Sequence, residues 1–275
     1  FRQYHGKSGL YVTNYSLRGS TSHFRENSRY STVSPSIGFG WRPNNLLLNQ
    51  REALIIRSVS VFRDIDPSLQ SLGLETDPDY NVFNAKYYNT TNNIINYLSW
   101  SVDAQYSNKF TKLAYELEYR KLFENNRQFN LRFFAGKFLR NETAGSTDFF
   151  SFALDRPTDY LFDYEYLGRS EGSGIYSQQI IVAEGGFKSK LQNPFANDWM
   201  ATINTSVNIW RWIEVYGDLG FVKNKGLKER FVYDSGIRLN LLTDYFELYF
   251  PLYSNNGWEI SQPQYDQKIR FVITF

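Results

Sequence analysis

Cysteine is absent from the 275 residues, histidine occurs twice and methionine once. The first absence excludes a disulfide framework and any zinc site built on thiolates. With His5 and His23 as the only imidazoles, most histidine-based catalytic and metal constellations are out of reach. No run approaches the roughly 18 apolar residues of a membrane helix; the longest, such as Ala53-Leu54-Ile55-Ile56, hold only a few. Net charge is also small, +2, which gives no electrostatic footprint for a nucleic-acid partner. No signal peptide follows Phe1 and the lone methionine is Met200, so the expectation is a mature or truncated product.

Aromatic side chains are abundant instead: 21 Tyr, 23 Phe and 6 Trp make 18% of the chain, while mean hydropathy stays at −0.48. A water-soluble core would favour Leu, Ile and Val. Aromatic girdles around a polar lumen produce the observed combination, as in transmembrane barrels. A chain that spans a bilayer without an apolar helix must do so as a closed sheet, because only those two forms satisfy every backbone hydrogen bond in hydrocarbon.

Alternation of period two supports this along much of the chain. Leu98, Trp100, Val102, Ala104 and Tyr106 face away from Ser99, Ser101, Asp103, Gln105 and Ser107. Leu113, Tyr115, Leu117 and Tyr119 oppose Lys112, Ala114, Glu116, Glu118 and Arg120, and Phe129, Leu131, Phe133 and Ala135 oppose Asn130, Arg132, Phe134 and Gly136. Residues 199–209, 213–221 and 231–241 repeat the pattern, whereas residues 33–41 and 54–63 carry it less cleanly. The chain ends on Ile269, Phe271, Ile273 and Phe275, alternating with Arg270, Val272 and Thr274. That is the ending of a closing barrel strand and the signal expected to engage the barrel-assembly machinery.

Connection lengths give an independent reading, since outer-membrane barrels pair short periplasmic turns with longer outer loops and an even strand number. Counting back from a periplasmic Phe275, residues 254–266, the loop at Gly226 and residues 64–79 fall outside. Residues 242–244, Trp210-Arg211-Trp212, Glu124-Asn125-Asn126 and residues 89–93 fall inside. The expectation is a single all-β domain over residues 1–275, an antiparallel transmembrane β-barrel of about fourteen strands with twelve the nearest alternative, in the outer membrane of a Gram-negative bacterium. Residues 155–174 strain the count: parity assigns them to the periplasmic side, where so long and aromatic a connection extends the flanking strands, enters the lumen or docks on a periplasmic partner.

The candidate chemistry is sparse. Barrel phospholipases need a histidine two residues before a serine on one strand face, so that base and nucleophile can share a hydrogen bond. His5 has Ser8 three residues on, and His23, read as lying in the first outer loop, has Ser22 adjacent. Omptin-type proteases need histidine and aspartates in late outer loops, which is not where His23 falls. No cluster has metal-ligand spacing and the HExxH helix is missing, so no catalytic, cofactor-binding or metal residues are expected. The inward-facing charges Glu116, Glu118, Arg120, Arg132, Glu184, Glu214, Asp218, Asp234 and Arg238 are read as cross-strand filling of the lumen in preference to a selective solute path.

Leu154-Asp155-Arg156-Pro157-Thr158-Asp159-Tyr160-Leu161-Phe162-Asp163-Tyr164, Leu167-Gly168-Arg169-Ser170-Glu171, Tyr245-Phe246-Glu247-Leu248-Tyr249-Phe250-Pro251 and Tyr253-Ser254-Asn255-Asn256-Gly257-Trp258-Glu259-Ile260 together resemble the carboxy-terminal region appended to large M1-type (gluzincin) metallopeptidases of some Gram-negative bacteria. The similarity runs over about residues 154–275. It implies a membrane barrel belonging to a longer protein, with the zinc peptidase domain ahead of Phe1. No catalytic residue carries over, because HExxH and its downstream glutamate have no matching positions. The functional expectation is therefore an anchor or scaffold contacting outer-membrane lipid and other outer-membrane or periplasmic proteins. A stand-alone channel ranks second and a barrel hydrolase third.

Overall fold

The computed structural model describes residues 1–6, 9–25, 28–41, 49–64, 79–125, 127–144, 149–164, 174–242 and 245–273. Its strands, in chain order, are β1 (Arg2–Tyr4), β2 (Leu10–Arg25), β3 (Ser28–Trp41), β4 (Gln50–Arg63), β5 (Tyr80–Asn92), β6 (Asn96–Tyr106), β7 (Phe110–Leu122) and β8 (Gln128–Asn141). After these come β9 (Phe152–Ala153), β10 (Phe195–Ala196), β11 (Trp199–Trp210), β12 (Ile213–Lys223), β13 (Arg230–Leu242), β14 (Phe246–Ser254), β15 (Gly257–Trp258) and β16 (Arg270–Ile273). Three short 3₁₀ turns are the only helical elements among the described residues. None is long or apolar enough to cross a membrane.

Fourteen strands build one antiparallel sheet in the order β1 through β8, then β11 through β15, with β16 also on β14. β9 and β10 pair only with each other. The all-β antiparallel class is as the alternation predicts. Among the described residues the sheet is not closed: β1 forms one edge and β16 the other.

Register explains the faces. On β11 and β12, Asn204 sits opposite Asp218, Ser206 opposite Tyr216 and Asn208 opposite Glu214, and all six are buried. The intervening pairs, Ile203 with Leu219 and Val207 with Val215, are exposed. A soluble sheet buries the apolar set; here it is the polar set that faces inward. Lipid-facing barrels require this inversion, and each large side chain moved from water to hydrocarbon contributes about 1.5–3 kcal/mol. Outward aromatics concentrate toward the two rims. Near one, Phe221, Phe231, Tyr233, Tyr253 and Trp258 form a continuous row with successive centroids 5.2, 5.8, 5.6 and 5.0 Å apart. Near the other, Tyr87 lies 6.3 Å from Trp41 and 5.3 Å from Trp100.

The rims differ in their connections. One, the turn rim, carries residues 93–95, 123–125, 211–212 and 245 and the carboxy-terminal end of β16. At the opposite, loop rim lie the end of β4 and the start of β5, the end of β8 and the start of β11, residues 224–229 and the return from β14 to β16. Of the connections assigned by parity, residues 93, 124–125, 210–212, 226 and 254–266 lie on the expected rims, while most of residues 64–79, and residues 126 and 243–244, lie outside the described residues. The exception is the awkward aromatic segment. β8 ends and β11 begins on the loop rim and the two pair directly, so the described residues between them add no strand to the wall and the chain does not cross to the turn rim as a wall strand there. Part of the segment, residues 165–173, lies outside the described residues.

Candidate functional site: a plugged lumen

Residues 149–164 and 174–198 turn into the space enclosed by the sheet. The short β9–β10 ladder, Ala153 opposite Phe195 and Phe152 opposite Ala196, gives this plug its own internal pairing. Its side chains complete an apolar core with the loop-rim half of the wall. Phe150 stacks on Phe110 at 5.0 Å and Tyr80 at 5.2 Å, and Phe152 packs on Phe138 at 4.9 Å. Val59, Val61, Val82, Met200, Val222 and Val232 close around them, with plug residues Leu154, Phe187 and Leu191. Gly136 makes room on the wall: a Cβ there would meet the Phe152 ring at 2.5 Å. Gly186, at φ +76°, lets the plug backbone pass directly over the Asn204 amide.

Polar groups hold this core in register. The Tyr160 hydroxyl donates to Gln105 Oε1 at 2.5 Å, and its carbonyl accepts from the Tyr80 hydroxyl at 2.6 Å. Arg57 grips Asp163 with both terminal nitrogens, at 2.8 and 2.6 Å. Lys188 donates to Asp218 at 3.0 Å, while the backbone amides of Lys188 and Ser189 donate to Asp234 at 2.9 and 2.6 Å. Arg132 bridges Glu116 at 2.6 Å and the Glu184 carbonyl at 2.9 Å. The Leu191 amide donates to Asp155 within the plug at 2.9 Å; burial nonetheless pushes the Asp155 carboxyl above the usual range.

Toward the turn rim the lumen becomes polar and open. A cavity of about 330 Å³ lies there, lined among others by Glu118, Arg120, Arg132, Tyr216, Asp218 and Arg238. Arg238 donates to Glu214 at 3.1 Å and also pairs with Glu247, which in turn accepts from the Tyr249 hydroxyl at 2.5 Å. Ser206 donates to Glu214 at 2.8 Å. A second cavity, about 230 Å³, separates the plug from the β4–β8 wall.

The inward charges read from the sequence thus divide into three sets. Arg132, Asp218 and Asp234 fasten the plug, with Glu116 pairing to Arg132 from the neighbouring strand. Glu214 and Arg238 belong to a cross-strand network, and Glu118 and Arg120 face the open cavity, the former 4.0 Å from Arg132 and the latter over the Tyr97 ring. Glu184 corrects the reading: it is a plug residue, not a wall residue, 3.8 Å from Lys112. Sequence reasoning missed Arg57, Asp163, Lys188 and Glu247. Glu247 shares the strand alternation of Tyr249 and was open to detection; Asp163 and Lys188 lie in irregular backbone with no period to reveal them.

At the carboxy terminus Phe271 and Ile273 stand opposite Leu248 and Phe246 on the outer face, Ile269 precedes the strand, and Phe275 lies outside the described residues. Residues 21–25 correct another reading, being strand and not loop, with His23 opposite Arg29. His5 follows β1 and its Nε2 is 2.9 Å from the Thr13 hydroxyl. Among the described residues no group of three or more His, Asp or Glu is placed to hold a metal ion. No protein-family model matches the chain, and no curated protein sequence matches it.

Proposed function

We propose that this chain is an outer-membrane β-barrel of a Gram-negative bacterium that anchors or scaffolds other protein material at the membrane. The observation that carries the reading is the plug: buried Phe150, Phe152, Leu154 and Phe187 fill the loop-rim half of the lumen with apolar side chains. A hydrated ion meets there apolar side chains that narrow its path to the cavity of about 230 Å³ beside them, and shedding its water against them costs several kcal/mol. Such an interior suits a static anchor, and the apolar outer face suits lipid. The resemblance of residues 154–275 to the carboxy-terminal regions of M1-type metallopeptidases supplies the partner class. In this reading the zinc peptidase chemistry resides in a segment outside residues 1–275.

Two measurements test it. Planar-bilayer recordings of the purified chain are expected to give no steady conductance above the bare bilayer; stable single-channel steps would support a channel instead. The polypeptide carrying this carboxy terminus, taken from native outer membranes, is expected to weigh far more than 32.3 kDa. A mass near that value would remove the peptidase-anchor reading. A transport barrel with a displaceable plug is the second reading, favoured by the polar fastenings Arg57–Asp163 and Lys188–Asp218, which are breakable without unfolding the wall.

A further inference from the structure

The two edges of the sheet do not match. β15 and β16 sit end to end on β14, residues 257–258 toward the loop rim and 270–273 toward the turn rim, so they form one interrupted column. The fourteen strands therefore make thirteen columns. Every pairing between them is antiparallel, so directions alternate and the first and thirteenth columns, β1 and β15–β16, both run toward the turn rim. Joined directly, they would be parallel. A second copy in a common membrane orientation would offer the same arrangement, β1 of one copy meeting β16 of the other in parallel, the slightly less stable pairing.

Among the described residues the first column is also half empty. β1 covers β2 only from Val12 to Asn14, extended by the mutual hydrogen bonds of Phe1 and Tyr15, both 2.8 Å. By antiparallel alternation the N–H groups of Leu17, Gly19 and Thr21 point to the same edge, beyond the reach of β1. Leu17 is 76% exposed. On the opposite edge the Phe271 carbonyl accepts from the Ile180 amide at 2.9 Å in a parallel bridge, Gln178 Nε2 donates to the Ile269 carbonyl at 2.9 Å and Arg270 donates to the Ser177 carbonyl at 3.4 Å, so among the described residues the plug meets this edge over residues 269–271 and not beyond. The adjoining Gln179 is 4% exposed, and both atoms of its side-chain amide lack a partner.

We propose that the seam between β2 and β16 is an interaction surface for one amphipathic β-hairpin supplied from outside residues 1–275. One arm runs from turn rim to loop rim between β16 and β1, antiparallel to both. The returning arm lies along β2 over residues 16–25, end to end with β1. Apolar side chains on the outer face of each arm would continue the row of Leu17 and Phe271, and polar ones would meet Ser16, Arg18 and Ser20 inside. Strand addition to an open edge is a general mode of recognition, with main-chain hydrogen bonds supplying the attraction. The proposal rests on the membrane reading, because an open edge facing hydrocarbon leaves backbone groups that only a further strand can satisfy.

Amide hydrogen exchange tests it on the 275-residue chain in lipid nanodiscs, with and without a designed amphipathic hairpin fused ahead of Phe1. The unfused chain is expected to exchange rapidly at Leu17, Gly19, Thr21 and Ile273. The fused hairpin should slow these amides by at least about a hundredfold, and a hairpin of scrambled alternation should not. Protection already present in the unfused chain, with ready disulfide formation in the Leu17→Cys/Phe271→Cys variant, would mean that β2 closes on β16 with β1 displaced, and would overturn the proposal. So would a hairpin without effect. Failure of the chain to become protease-protected in liposomes would remove the membrane reading itself, separately from these outcomes.

Discussion

At the scale of single residues, the molecule spends its charges on holding the plug. Lys188 and Asp218 are both nearly inaccessible to water, and their 3.0 Å contact neutralises two charges that the lumen could not otherwise accommodate. Removing one partner strands the other. Lys188→Met is expected to destabilise the plug by about 3–5 kcal/mol, measured as faster proteolytic nicking within residues 149–198, while Lys188→Met/Asp218→Asn recovers part of the loss. Glu259, in the loop-rim turn, provides a pH-dependent contact. Burial pushes its carboxyl up, but the Lys268 ammonium at 2.5 Å and hydrogen bonds from Ser254 and Asn256 outweigh this and hold it below its ordinary 4.5. A depressed carboxylate stabilises the fold in full above 4.5, and that stabilisation disappears as pH falls through the lowered value. Limited proteolysis of residues 257–268 should therefore accelerate only on the acid side of 4.5, and Lys268→Met should weaken that dependence.

At the scale of elements, strands and plug are fitted by volume as much as by charge. Gly136 on β8 leaves the space that the Phe152 ring of β9 occupies. Gly136→Val is expected to cost about 1–3 kcal/mol through overpacking, read from denaturant unfolding, and Phe152→Ala in the same chain should relieve part of the clash at the expense of its own contacts. Much of this level was legible beforehand. Alternation located β6, β7, β8, β11, β12 and β13 and assigned their faces, because a strand's side-chain period is a local property. The side of the 142–198 connection was not legible: Phe149 to Ala153 has enough aromatic character to read as a strand, and only the packing against Phe110, Phe138 and Tyr80 shows it to be filling. Glu184 does line the lumen, but from the plug, where no strand alternation marks it.

At the scale of the whole molecule, the distribution of side chains is inside out, and the environment decides what a surface substitution costs. Leu219, midway along β12, is half exposed in the isolated chain. Leu219→Arg is expected to destabilise the protein by about 2–4 kcal/mol in a bilayer, measured by equilibrium unfolding from lipid vesicles, whereas an exposed leucine on a soluble sheet would tolerate arginine with little change. The parity of the columns belongs to this scale as well. It cannot be read from any one strand, since it follows from the way β15 and β16 share an edge of β14 and β1 covers only part of β2.

The sequence by itself determined the class of the fold and the identity of its faces. Period-two patterning, aromatic excess and the absence of a long apolar run act through local geometry and solvent preference, which need no tertiary contact to be expressed. Only the tertiary structure decided what occupies the lumen, which charges hold it, and that the described sheet is left with an open seam. Those outcomes depend on contacts between residues far apart in the chain, such as Arg57 with Asp163 and Gln179 with Phe271, and on a count of columns that exists only once the strands are paired.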